Sequence, residues 1–155
     1  SGPEDVMMYL RYNMRSQTFA KSLPMPVVIG AIKRLEMIRT RPELNAKLWE
    51  VTNALQSGLK EAGLDIGNTN SCVTPVYMKG GVAAATNVVV DLRENHGIFC
   101  SIVVYPVIPK DMILLRLIPT AAHSLEDVRY TVECFKTVQE KLNAGQYNTE
   151  KIAAI

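Results

Sequence analysis

The segment between residues 40 and 63 constrains the fold most, because its apolar residues follow a clear helical period. Leucine and valine side chains recur at spacings of four and three residues and therefore form one stripe along a helix. They are Leu44, Leu48, Val51, Leu55 and Leu59. Thr40 and Glu43 predict a capping box at the start, with Pro42 in the first turn, and Gly63 predicts the end. The rest of the chain must therefore cover the apolar stripe of one long amphipathic helix.

Other segments also predict helices, namely residues 4–16, 26–39, 82–96 and 125–144. Residues 17–24 end in a proline and predict an extended connector, because residues before proline avoid the helical region. The 82–96 segment has a valine run that favours a strand, but its length and its alanine run favour a helix. Ser124 and Asp127 predict a second capping box.

Apolar runs predict strands at residues 72–78, 98–104 and 113–118. Pro75 within the first run indicates an edge or bulged strand, because proline cannot donate to a sheet. Helices before, between and after short strands predict an α+β domain with a small, mostly antiparallel sheet and helices packed on one face. The other face of such a sheet must be covered by something else.

The composition is that of a globular domain and excludes several classes of function. The 155 residues are 48% hydrophobic and 21% charged, which is enough for a core without metal or disulfides. A net charge of +2 with no basic run gives no basis for nucleic-acid binding. The chain has no eighteen-residue apolar stretch to span a membrane. Its three widely spaced cysteines predict no metal site and fit a reducing, cytoplasmic location.

Arg116 is the side chain that local chemistry singles out. It lies in a predicted strand with apolar neighbours on both sides, and a buried guanidinium needs an anionic partner because it cannot lose its charge. Its planar fork matches a carboxylate or a phosphate, while pairing with a structural acid or snorkelling from the sheet edge stays open. An Arg116 side chain that points into solvent, or one locked onto an internal acid with no cavity beside it, would contradict a ligand-binding role. No complete catalytic constellation is visible.

Short stretches along almost the whole chain resemble, in order, motifs of the α-oxoamine synthases. These are pyridoxal-phosphate enzymes of fold type I that condense an amino acid with an acyl-thioester. The stretches are residues 15–24 (RSQTFAKSLP), 41–49 (RPELNAKLW), 63–67 (GLDIG), 71–76 (SCVTPV), 97–99 (GIF), 105–110 (YPVIPK), 115–117 (LRL) and 120–123 (TAAH). Each is moderately specific, and together they make a strong resemblance.

The resemblance implies the carboxy-terminal small domain of a homodimeric enzyme with amino-acid and acyl-CoA substrates. Residues 1–24 would be a helix and connector leading from the large domain, 25–145 the small domain, and 146–155 a polar tail. The lysine that forms the Schiff base with pyridoxal 5′-phosphate would lie upstream. We therefore expect no catalytic residue in this chain, no bound cofactor in the chain alone and no activity of the chain by itself.

The resemblance also implies roles for individual residues. Arg116 matches the arginine that holds the carboxylate of the amino-acid substrate. Lys21 and Ser22 lie in a segment that reaches across the dimer and approaches the cofactor phosphate of the partner subunit. Val104 stands where many relatives have an arginine, so a second carboxylate contact is absent. The YPVIPK stretch is more similar to glycine C-acetyltransferases and some bacterial serine palmitoyltransferases than to 8-amino-7-oxononanoate synthases, which leaves glycine or serine as the donor.

An alternative stays open at this point. The chain would then be a stand-alone α+β regulatory or binding module that grips an anionic ligand through Arg116. A Ser/Thr-x-x-Lys motif encoded upstream would favour the enzyme, whereas a stop or an unrelated domain would favour the module.

Overall fold

The structure is a computed structural model that describes residues 2–110 and 112–148, apart from the side chain of Thr18. The chain divides between Arg41 and Pro42 into two compact units, and each unit is described by itself. The predicted domain boundaries after residues 24 and 145 concern a longer protein and stay a prediction.

The first unit is helical. Its helices are α1 (Glu4–Asn13), α2 (Arg15–Thr18) and α3 (Met25–Thr40). The predicted helix over 4–16 is wrong in one respect, because Met14 takes extended backbone angles and separates α1 from α2. The extended connector predicted over 17–24 is wrong for Gln17 and Thr18, which belong to α2, whereas residues 19–24 form no helix or strand. No residue of α1 or α3 is buried.

The capping box predicted at Thr40 is wrong. Thr40 is the last residue of α3, and its hydroxyl donates to the carbonyl of Glu36 at 2.8 Å. The following helix, α4 (Pro42–Glu61), starts too late for Thr40 to cap it. A threonine hydroxyl can bond to the carbonyl four residues back within a helix, so this residue type does not by itself mark a helix start.

The glycine predicted to end α4 does so. Gly63 has a φ of +79°, a left-handed conformation that glycine adopts without a steric penalty. The N–H groups of Gly63 and Leu64 donate to the carbonyls of Lys60 and Leu59 at 2.9 and 3.0 Å. This pair of bonds is a Schellman motif, which satisfies the last carbonyls of the helix.

Two further helices complete the second unit, α5 (Val82–Glu94) and α6 (Leu125–Asn143). The 82–96 segment is therefore helical, as predicted. The capping box at the start of α6 is also confirmed. The N–H of Asp127 donates to Ser124 Oγ at 3.1 Å, and the N–H of Ser124 donates to Asp127 Oδ2 at 2.7 Å.

The sheet is small and antiparallel, which confirms the predicted α+β class. Its strands are β1 (Thr74–Lys79), β2 (Ser101–Val103) and β3 (Met112–Leu117), in the order β1-β3-β2. Strands β1 and β2 are shorter than the apolar runs that predicted them. Pro75 lies on an edge strand, as its missing N–H requires.

One face of the sheet belongs to the hydrophobic core, as predicted. Strands β1 and β3 alternate between buried and more accessible residues, because successive strand side chains point to opposite faces. The buried set on these strands is Thr74, Val76, Met78, Ile113, Leu115 and Leu117. We call the opposite side the open face, and its residues are Pro75, Tyr77, Lys79, Ser101, Val103, Met112, Leu114 and Arg116. All of these are half-buried or exposed in the described chain.

Helices α4 and α6 approach each other closely where Gly58 faces Val132. A Cβ added at Gly58 would lie 2.9 Å from Val132 Cγ2, closer than van der Waals contact allows. We expect Gly58→Val to lower the free energy of unfolding by about 2 kcal/mol, because overpacking forces the two helices apart. Urea unfolding of the chain measures this. The matched control is Ser57→Val, an exposed position on the same helix; an equal loss in both variants would contradict the packing argument.

The carboxy-terminal segment is anchored as far as it is described. A polar tail after Gly145 would be expected to lie loose on the surface, but Tyr147 is only 7% exposed. The Tyr147 hydroxyl bonds to the carboxylate of Asp91, and its backbone carbonyl accepts from Asn87 Nδ2 at 2.9 Å. Residues 149–155 of the predicted polar tail lie outside the described residues.

Candidate functional site

Arg116 lies in the middle of the open face, on the central strand. In register it pairs with Pro75 of β1 and with Ser101 of β2. The prediction that Arg116 is buried is wrong, because its side chain is exposed. The apolar residues on either side of it in sequence, Leu115 and Leu117, point to the core, and the pleat therefore turns Arg116 away from the core.

The Arg116 guanidinium is held by one hydrogen bond. Its Nε donates to Ser101 Oγ at 2.9 Å. Among the described residues, no carboxylate lies within ion-pair distance of Arg116. Neither Nη1 nor Nη2 has a hydrogen-bond acceptor in this part of the chain. The pair of terminal nitrogens is therefore available to an external anion.

The surroundings of Arg116 on the open face are mostly apolar. Pro75, Tyr77, Val103 and Leu114 are all half-buried there, and none of the eight strand residues of this face is acidic, although Asp65 forms an isolated bridge with Tyr77 on the outer edge of β1. A cation among apolar groups attracts an anion more strongly once the face is covered, because the local dielectric constant falls. The open face therefore suits the recognition of a carboxylate beneath a covering element.

Lys21 and Ser22 belong to the first unit, whereas Arg116 belongs to the second. Both side chains are exposed in the extended segment that precedes α3. Neither makes a hydrogen bond or ion pair with any other described residue. Their accessible ammonium and hydroxyl groups are suited to a phosphate, and the predicted role beside the cofactor phosphate stays a prediction.

Two open grooves lie beside α6, and Arg116 lines neither of them. One has a volume of about 400 Å³ and lies between Leu55, Ile98, Ile118 and Val128. The other has a volume of about 490 Å³ and follows the junction of α4 and α6. Arg116 is exposed and the described part of the chain forms no cavity lined by it in either groove, so this chain by itself meets the condition that contradicts a ligand-binding role; such a role requires a further part of a longer protein.

His123, which lines the first groove, ties down the loop before α6. The N–H of Thr120 donates to His123 Nδ1 at 2.9 Å. Because a backbone amide can only donate, Nδ1 must be the unprotonated nitrogen, and a neutral His123 carries its proton on Nε2. This is the structural role that its place beside the Ser124 cap indicates.

Other classes of site leave no trace in the described part of the chain. No group of three or more His, Cys, Asp or Glu side chains among residues 2–110 and 112–148 could hold a metal ion. None of the described helices is long and apolar enough to cross a membrane. All three cysteines are free thiols, with Cys100 and Cys134 buried. Burial raises the pKa of the Cys100 thiol to about 11, which makes it a poor nucleophile.

Ser101 is the site residue that sequence reasoning missed. A serine at the start of a short apolar run carries no chemical signal of its own. Its importance depends on the register that places it opposite Arg116, which lies fifteen residues further along the chain. Only the pairing of β2 with β3 reveals this contact.

Comparison with known proteins decides the family. The chain is 61% identical over 147 residues to the cysteate-C-fatty acyltransferase of Capnocytophaga ochracea, a match that covers 95% of the chain. This chain is a carboxy-terminal domain of the α-oxoamine synthase family. The domain is also 32% identical over 133 residues, or 86% of its length, to the serine palmitoyltransferase of Sphingobacterium spiritivorum. No family model matches it.

The fold of this α-oxoamine synthase domain is shared with solved structures. The serine palmitoyltransferase of Sphingomonas wittichii superposes with a TM-score of 0.78 at 26% identity and covers 91% of the chain. The chain spans about a third of the length of its relatives, 35% of the Capnocytophaga and Sphingomonas proteins and 33% of the Sphingobacterium protein. The activity of a complete enzyme is therefore a matter of proposal.

Proposed function

We propose that the chain is part of a longer protein, called the parent protein below, that is a pyridoxal-phosphate-dependent C-acyltransferase. This enzyme joins the α-carbon of an amino acid to the acyl carbon of an acyl-CoA; the thioester bond breaks and releases free CoA, the carboxylate of the amino acid leaves as CO2, and the product is an aminoketone. The observation that carries the proposal is the 61% identity over 95% of the chain to a named fatty acyltransferase. A cytoplasmic homodimer, and a chain that is inactive without the rest of the parent protein, belong to the same proposal.

The part played by this chain is to bind and orient the amino acid. Arg116 would hold the substrate carboxylate through its terminal nitrogens, which have no acidic partner among the described residues. Fixing the carboxylate fixes which bond of the α-carbon faces the cofactor. Because Arg116 is exposed here, the pocket requires another part of the parent protein to cover the open face. The role rests on the family resemblance and on the lack of an ion-pair partner for Arg116 among the described residues rather than on burial.

The residues present also fit an approach of the cofactor phosphate. Lys21 offers a point charge and Ser22 a hydroxyl, both accessible in the extended segment before α3. When it is bound in the parent protein, pyridoxal phosphate supplies the electron sink that makes the α-carbon nucleophilic. The lysine that would hold the cofactor covalently is expected upstream of this chain.

The relatives favour one amino donor over the glycine or serine that the YPVIPK stretch indicates. The 61% identical relative is named for cysteate and a fatty acyl group, whereas the named serine enzyme is only 32% identical. We therefore propose cysteate as the amino donor and a long-chain acyl-CoA as the acyl donor. Cysteate differs from serine in carrying a sulfonate in place of a hydroxyl, which adds a second negative charge to the substrate.

Purified parent protein with pyridoxal phosphate is expected to condense palmitoyl-CoA with cysteate at least tenfold more efficiently than with serine or glycine. The kcat/KM for each donor is measured by the release of free CoA, with product confirmed by mass spectrometry. Efficient use of serine or glycine with none of cysteate would overturn the choice of donor. No condensation with any of the three donors would overturn the proposed function.

A further inference from the structure

The contact between Arg116 and Ser101 restricts how the guanidinium can bind an anion. A guanidinium can pair with a carboxylate side-on, through Nε and one Nη, or end-on, through Nη1 and Nη2. In this chain the N–H of Nε is already directed at Ser101 Oγ, 2.9 Å away. A side-on pair would have to break that bond, so the end-on edge is the one presented.

The same contact fixes a side chain that is otherwise free to move. Arg116 is exposed, and among the described residues its guanidinium has no other hydrogen-bond or ion-pair partner. An unrestrained arginine loses side-chain entropy when it binds a ligand, which weakens the affinity. Ser101 is half-buried on an edge strand, and its backbone is set by pairing with β3. The Ser101 hydroxyl therefore offers an acceptor of fixed position to a guanidinium that would otherwise move freely.

We infer that Ser101 is a positioning residue that orients Arg116 to bind the carboxylate of the amino donor end-on, through Nη1 and Nη2. The inference rests on the proposed function and names a residue that the family comparison does not assign. Because Ser101 acts through Arg116, replacing Ser101 weakens the binding of the amino donor and leaves the binding of the acyl donor unchanged.

The test uses the full-length parent protein with pyridoxal phosphate, cysteate and palmitoyl-CoA. Ser101→Ala is expected to raise the KM for cysteate about tenfold, the effect of one hydrogen bond to a charged group. The kcat and the KM for palmitoyl-CoA are expected to stay within about twofold of wild type. Ser101→Thr keeps the hydroxyl on a residue suited to strands and is expected to restore the wild-type KM. Ser57→Ala, at an exposed serine of α4 outside the open face, is the matched control and is expected to leave the KM for cysteate at the wild-type value.

A double-mutant cycle separates positioning from a general effect on the fold. Lysine lacks the Nε–H group that donates to Ser101 Oγ. In an Arg116→Lys background, Ser101→Ala is therefore expected to cause no further rise in the KM for cysteate. A wild-type KM in Ser101→Ala, failure of Ser101→Thr to restore it, or the same tenfold rise in the Arg116→Lys background would each overturn the inference. These results leave the proposed function standing. Absence of condensation by the wild-type parent protein overturns both.

Discussion

Replacing Arg116 with alanine in the full-length parent protein is expected to raise the KM for the amino donor about a hundredfold. The substitution removes the two charge-assisted hydrogen bonds proposed with the substrate and, among the described residues of the open face, the only positive charge besides that of Lys79. The visible absorbance of the bound cofactor is expected to stay unchanged, because Arg116 is assigned to the substrate and not to the cofactor. Steady-state kinetics with varied cysteate, together with an absorbance spectrum, measure both effects.

Lys79 provides the matched control for this prediction. It is a second cation on the same open face, but it pairs with Met112 at the far end of β1 and β3 from Arg116. Lys79→Ala is therefore expected to leave the KM for the amino donor within about twofold of wild type. Equal effects of the two substitutions would show that Arg116 contributes general charge and not a specific contact.

Replacing Asp91 with alanine is expected to lower the free energy of unfolding of the chain by about 3 kcal/mol at neutral pH. Asp91 is only 8% exposed and accepts hydrogen bonds from Lys141 Nζ at 2.8 Å, from Asn95 Nδ2 at 2.6 Å and from the Tyr147 hydroxyl. Removing the carboxylate leaves these donors without an acceptor and frees the segment that Tyr147 anchors. Urea unfolding at pH 7 measures the loss.

The pH dependence of this loss identifies its source. Burial by itself raises the pKa of Asp91, but the hydrogen bonds from Lys141, Tyr147 and Asn95 outweigh burial and lower the pKa to about 2. A carboxyl whose pKa is lower in the folded state stabilises the fold above its unfolded pKa of about 4, and this stabilisation is lost as the pH falls towards 2. The difference in stability between wild type and Asp91→Ala is therefore expected to shrink over that range.

Glu94→Ala is the control for Asp91. Glu94 is an exposed acid on the same helix, and its pair with Arg93 is exposed on both sides. Its removal is expected to change the free energy of unfolding by less than about 0.5 kcal/mol. A loss at Asp91 as small as this, or one that is constant from pH 7 to pH 2, would contradict the buried network.

The helices were predictable because their signals lie within a few residues of each other. The leucine spacing of α4, the left-handed Gly63 and the reciprocal bonds of Ser124 and Asp127 depend only on the local chain. The error at Thr40 has the same origin, since its hydroxyl could either accept from the N–H of Glu43 as a cap or donate to the carbonyl of Glu36, and it donates to Glu36. Local patterns thus predict elements well and their exact ends less well.

The candidate site was predictable only in part. The family motifs pointed to Arg116, but the apolar residues around it concealed that the strand has one buried and one open face. The pairing with Ser101 and the burial of Tyr147 against Asp91 join residues that are 15 and 56 positions apart. Contacts at such separations depend on how the elements pack, which no local pattern encodes.

The most direct test of the account is a crystal structure of the full-length parent protein with pyridoxal phosphate and the amino donor bound. We expect the open face to be covered and both carboxylate oxygens to lie about 3 Å from Arg116 Nη1 and Nη2. The bond between Arg116 Nε and Ser101 Oγ is expected to persist. A donor carboxylate held by other residues, with Arg116 still directed into solvent, would contradict the central claim that this domain supplies the cation that orients the substrate.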